Sequence, residues 1–130
     1  MKNLFYVALI ILFFIGCEED CEKLRNSHIS KKTIPKTASV LDTVQLEVTA
    51  FASNGCWSDL FVELNQQSAF EYTVEAFGTL TCCDECVCPQ VEVEADTIIN
   101  FVPDQKGVYL FYVSQLNNQI DVDTLIVNWV

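Results

Sequence analysis

From Val44 to Trp129 apolar and polar residues alternate in short runs broken by turn residues, and a period of two is the signature of half-buried β-strand. Val44, Leu46, Val48 and Ala50 alternate with Gln45, Glu47 and Thr49. Leu60, Val62 and Leu64 alternate with Asp59, Phe61 and Glu63, and Asn65-Gln66-Gln67-Ser68 is expected to turn the chain. Phe70, Tyr72, Val74 and Ala76 alternate with Glu71, Thr73 and Glu75. Val91, Val93 and Ala95 alternate with Glu92, Glu94 and Asp96 in a run that continues to Val102, where Pro103-Asp104-Gln105-Lys106-Gly107 makes a second turn. Val108 to Gln115 is nearly all apolar, as expected of a central strand covered on both faces. Asn117-Asn118 tolerates positive φ and predicts a hairpin into a last strand from Asp121 to Trp129. No amphipathic helical spacing appears. The expectation is an all-β fold, an antiparallel sandwich of about seven strands. It occupies residues 37–130, long enough for one core and too short for two.

The chain's beginning follows another logic. Lys2 precedes an apolar run from Leu4 to Ile15, and about a dozen apolar residues suit an export signal but are too few to span a bilayer as a helix. Gly16-Cys17 at its end resembles a lipobox, with Phe14 standing where leucine is usual. The resemblance implies that residues 1–16 are a lipoprotein signal peptide, that the chain is cleaved after Gly16, and that Cys17 is the lipidation site. Several acyl chains, at roughly 0.8 kcal/mol per buried CH₂, would anchor the chain in a membrane without help from the folded domain. Glu18-Glu19-Asp20 resembles the acidic tag that exports some Gram-negative lipoproteins to the cell surface; its other reading is a solvated tether. The expected location is the outer membrane of a Gram-negative bacterium, on its periplasmic or cell-surface face.

Charge separates tether from domain. Residues 17–36 balance Lys23, Arg25, Lys31, Lys32 and Lys36 against Glu18, Glu19, Asp20 and Glu22, carry Ser27, Ser30, Thr33 and Pro35, and show no apolar period. They read as a tether, with His28 as exposed filler. Beyond it Lys106 is the only basic residue against fourteen acidic ones between Asp42 and Asp123. Such a field excludes nucleic acid and anionic membrane surfaces and leaves room for cationic partners or divalent metal; a protein or carbohydrate ligand is the expected partner beside the membrane itself.

At Gly107-Val108-Tyr109-Leu110-Phe111 a specific resemblance emerges. Asp104, Gly107 and Tyr109 look like the tyrosine corner that opens the penultimate strand of immunoglobulin-like and fibronectin-like domains, with Phe111 where an antibody domain places its second core cysteine. With the lipobox, the Asn54-Gly55-Cys56 corner and the Cys86-Val87-Cys88 element, the chain resembles small bacterial lipoproteins with an immunoglobulin-like domain. That resemblance implies a fold and an address, and no activity.

Six cysteines follow Cys17: Cys21, Cys56, Cys82, Cys83, Cys86 and Cys88. An even number in an exported chain implies disulfides. Adjacent Cys82 and Cys83 are poorly placed to bond each other, Cys56 is expected to reach Cys86 or Cys88, and Cys21 could tie the tether to the cluster. The rival reading is a metal or thiol-active loop from Cys82 to Cys88. Four thiols there could hold zinc or copper(I), and Cys83-Asp84-Glu85-Cys86 has thiol-exchange spacing. Against it, zinc sites pair separated ligand couples, and flanking carboxylates raise a thiol pKa.

If the alternation holds, Phe51, Phe61 and Phe77 each share an outer face with carboxylates, and Trp57 falls in phase with Phe61. Aromatic planes beside acidic acceptors suit sugar rings or cationic groups. The alternative is that bulges flip the register or that loops cover the rings. Glu92, Glu94 and Asp96 could hold calcium or form a solvated face, and they lie on no Asp-Gly-rich loop. The sequence holds no Ser-His-Asp set, phosphate loop or HExxH, so no enzyme, cofactor or resident metal is expected.

Overall fold

The computed structural model describes residues 22–82 and 86–130. Their strands, in chain order, are β1 (Lys23–Asn26), β2 (His28–Thr33), β3 (Thr37–Ser39), β4 (Val44–Ala52), β5 (Trp57–Ser68), β6 (Glu71–Leu80), β7 (Val93–Phe101), β8 (Gly107–Ser114) and β9 (Ile120–Asn128). A single 3₁₀ turn at Leu116–Asn118 joins β8 to β9, and no helix among the described residues is long and apolar enough to cross a membrane. The fold is all-β, in two sheets.

The smaller sheet runs β2-β4-β7. Its middle strand shows why alternation folds this way: Val44, Leu46, Val48, Ala50 and Ala52 are all buried, while Gln45 and Glu47 face water. The register against β7 is unbroken from Val44↔Phe101 to Ala52↔Val93. In the larger sheet β6 is flanked by β5 on one side and, on the other, by β8 beside Glu71–Val74 and β1 beside Phe77–Leu80. β9 then pairs with β8, and β3 with β9.

Between the sheets Leu46, Val74, Phe111, Val113 and Leu125 are completely buried. Each such side chain contributes about 1.5–3 kcal/mol relative to exposure. An aromatic group organises this core: Phe101 meets Phe111 edge-on at 5.4 Å and Tyr72 edge-on at 5.0 Å. Phe111 occupies the position read as the counterpart of a core cysteine, and it fills that space by packing.

Several expectations are corrected. The segment read as a tether, residues 17–36, is paired strand over most of its described part: β1 joins β6, β2 joins β4, and Ile29 is 2 % exposed. His28 stands opposite Phe51 and is half-buried. One buried isoleucine among polar residues makes no period, so the pattern was invisible. This adds strands to the count of about seven, giving nine among the described residues. Asn65–Ser68 is not a turn; β5 continues to Ser68 and the chain turns at Ala69–Phe70. The sandwich is not wholly antiparallel, because β3 with β9 and β6 with β8 are parallel. β8 is fully buried on one face and only partly covered on the other, where Leu110 and Tyr112 are half-buried and Val108 is 52 % exposed.

Candidate functional site

At the end of the sandwich where β6 finishes, the sequence builds a covalent corner. Asn54 turns the chain by accepting the Cys56 amide on its side-chain oxygen at 3.0 Å. The Gly55 amide donates to the Pro89 carbonyl at 2.7 Å, and a Cβ on Gly55 would stand 3.0 Å from Pro89 Cβ, so the two loops approach as closely as glycine allows. Cys56 is thereby held opposite Cys88, Cα to Cα 5.3 Å, and the two are bonded. Cys82 is bonded to Cys86 across 6.0 Å between Cα atoms. On a chain-entropy account the first bridge stabilises by about 3–4 kcal/mol and the shorter second one by about 2. The sulfurs of Cys56, Cys82 and Cys88 lie within 4.8 Å of one another, so the bridges sit side by side. Cys17, Cys21 and Cys83 lie outside the described residues.

The aromatic candidates do not form one surface. Phe61 and Phe77 are opposite one another on β5 and β6, stack at 5.5 Å between ring centroids, and leave Phe61 36 % exposed on the outer face of the larger sheet. Glu63 and Glu75 form the next pair along, so two carboxylates flank the stack. Trp57 is not in phase with Phe61. A bulge between Ser58 and Phe61, with Asp59 at φ 51°, turns Trp57 to the other side, opposite Leu80 and against Gly78. Phe51 belongs to the outer face of the smaller sheet, opposite Glu94 of β7. The four residues are thus a stacked pair and two separate rings.

Of the acidic residues Glu92, Glu94 and Asp96, the first just before β7 and the others on it, Asp96 accepts the Thr49 hydroxyl at 2.7 Å, which anchors it across the sheet beside exposed Lys31. The other lysine of this pair does something the sequence did not reveal. Lys32 leaves the edge of β2 and donates to Asp121, at 2.7 Å, and to Asp123, joining the smaller sheet to β9 of the larger. Burial lowers the Lys32 pKa, but hydrogen bonds and charges from Asp121 and Asp123 outweigh it, and the net shift is upward. The Lys32 hydrogen bond, and then its charge, hold the Asp121 carboxyl below the usual range.

At the end carrying the disulfides, a turn closed by Gln115 N donating to Gln119 O at 2.7 Å connects β8 to β9. Asn117 and Asn118 both have positive φ there, 62° and 58°, as their sequence led one to expect. Hollows of about 460 Å³ and 320 Å³ flank this turn and share Gln115 and Gln119. Sequence reading missed these glutamines and the neighbouring buried Ser27, because Ser27 lies far from the turn in the chain and no period joins it to Gln115 and Gln119. No family model, curated protein or solved structure matches the chain.

Proposed function

We propose that this chain is an exported lipoprotein, anchored in the outer membrane through Cys17, that presents an immunoglobulin-like sandwich as a binding or structural module. The paired bridges Cys56–Cys88 and Cys82–Cys86 carry the reading, since such bonds persist in oxidising compartments. The immunoglobulin-like assignment is supported by Tyr109, whose hydroxyl donates to the Gln105 carbonyl at 2.9 Å and accepts from the Gln105 amide at 3.3 Å. That is the bond pattern expected of a tyrosine corner. The segment from Lys23 to Thr33, being strand, shortens whatever tether follows Cys17 and holds the domain close to its anchor.

A second reading draws on the proximity of Cys56, Cys82 and Cys88. Thiols contributed by separate loops answer one objection to a metal site, so a zinc or copper(I) thiolate is the competing function. Intact mass after thiol alkylation separates the two, using a Cys17→Ser chain exported to an oxidising compartment and kept from reductant. No adducts on Cys56, Cys82, Cys86 and Cys88 are expected. Adducts that appear only after a chelator is added would transfer the function to metal. Palmitate labelling lost in Cys17→Ser checks the anchor independently.

A further inference from the structure

The turn between β8 and β9 is shaped by two consecutive asparagines in left-handed backbone, and amide side chains dominate what surrounds it. The larger hollow is lined by Phe51 and Glu94 on one side and by Gln115, Asn117 and Gln119 on the other. The smaller one shares both glutamines and reaches Ser27, where the chain crosses from the larger sheet to the smaller. Ser27 is 5 % exposed, and its Oγ has no hydrogen-bond partner among the described residues. A buried hydroxyl left alone is costly, and this one stands at the wall of the smaller hollow, the one that shares both glutamines with the larger. Both hollows, at about 460 and 320 Å³, have the size of small-molecule sites.

The lining chooses among ligands. Each glutamine and asparagine offers donors and an acceptor on one planar group, matching a sugar hydroxyl, which is also both. Phe51 supplies a flat apolar face for the C–H side of a pyranose, and Glu94 can accept from two hydroxyls. An anionic ligand is opposed by a formal net charge of −11, and a cation would find only one carboxylate against three uncharged amides. We propose that this cleft binds a neutral saccharide, with Phe51 as the stacking platform and Gln115 and Gln119 as the hydroxyl readers. The proposal rests on the binding-module reading and gives that module a ligand class.

The test is calorimetric titration of the full chain, extracted in a sugar-free zwitterionic detergent, with cellohexaose, chitohexaose and maltohexaose. Saturable binding of at least one is expected, weakened about tenfold or more by Phe51→Ala and by Gln119→Ala, and unchanged by Phe61→Ala. Gln119 is exposed, so its variant keeps the test valid if Phe51→Ala disturbs the fold. Absence of heat with all three sugars overturns the proposal. Binding lost in Phe61→Ala but kept in Phe51→Ala also overturns it while leaving a binding module in place. Saturable binding of spermidine abolished by Phe51→Ala, with no sugar bound, would replace the saccharide by a cation.

Discussion

Where β6 begins, three connections are closed by packing and backbone hydrogen bonds; where it ends, they are closed by sulfur and by an amide-rich turn. At the first end Tyr109 clasps Gln105, Phe70 lies edge-on to Tyr109 at 5.1 Å, and Leu41 N donates to the carbonyl of buried Pro103 at 2.8 Å. Gly107 belongs to the same arrangement, since a Cβ there would stand 2.6 Å from a Phe70 ring carbon. At the second end Val87 is 95 % exposed between two bridged cysteines, and its neighbours Cys86 and Pro89 are exposed as well. A loop with so little apolar surface to bury cannot offset its own ordering entropy by packing. Covalent closure replaces burial there. An end held in that way can spend its surface on polar side chains, which is where Gln115, Asn117 and Gln119 are found.

The comparison breaks if the two ends respond alike. The largest effect is expected from the Cys56→Ser, Cys88→Ser pair, a loss of about 3–4 kcal/mol in denaturant unfolding. A loss under about 1 kcal/mol would mean that packing already holds this end. Next comes Tyr109→Phe, which leaves the Gln105 amide and carbonyl without their shared partner and should cost about 1–2 kcal/mol. Its effect should fall on amide exchange around residues 103–107 and leave the cysteine loops untouched. Leu41→Gly should act in the opposite direction. Leu41 sits at φ 68° in the turn between Ser39 and Asp42 and is 71 % exposed, so glycine relieves backbone strain at little apolar cost. A gain of about 0.5–1 kcal/mol is expected from thermal unfolding.

The smallest effect tests the seam between the sheets, and its sign follows from the two shifts. Asp121 has a depressed pKa, so its share of stability is present at neutral pH and is lost as pH falls through that lowered value, below the ordinary carboxylate range of about 4. Lys32 has a raised pKa, so its share is present below the ordinary lysine range and is lost as pH rises through the raised value. Thermal midpoints of the parent and of Lys32→Met, followed against pH, should differ most across the plateau and converge at both extremes. A constant difference would assign Lys32 to packing of its alkyl chain instead of to charge.

Much of the architecture was legible because it is local. The alternation at Val44–Ala52 and Glu71–Leu80 specifies strand and inner face together, since side chains of a strand point alternately to its two sides. Asn117-Asn118 announced its turn for the same reason, as did the terminal hairpin of β8 and β9. Residues 23–33 were misread because, at the sheet edges, β1 buries no side chain and β2 buries only Ile29, and a single residue shows no period. Trp57 was misphased because the bulge at Asp59 adds a residue without any glycine to mark it.

By itself, then, the sequence determined strand as the local structure, the inner and outer faces of the long strands, an acidic surface, and cysteines suited to an oxidising compartment. Each of these follows from residue type and near-neighbour spacing. Tertiary structure alone decided that Cys56 meets Cys88, that Lys32 spans two sheets to Asp121 and Asp123, that Phe61 stacks on Phe77 while Phe51 faces elsewhere, and that Phe51, Gln115, Gln119 and Ser27 surround one turn. Those pairings join residues far apart in the chain. They depend on which strands become neighbours and in what register, a property of the assembled core that no window of sequence contains.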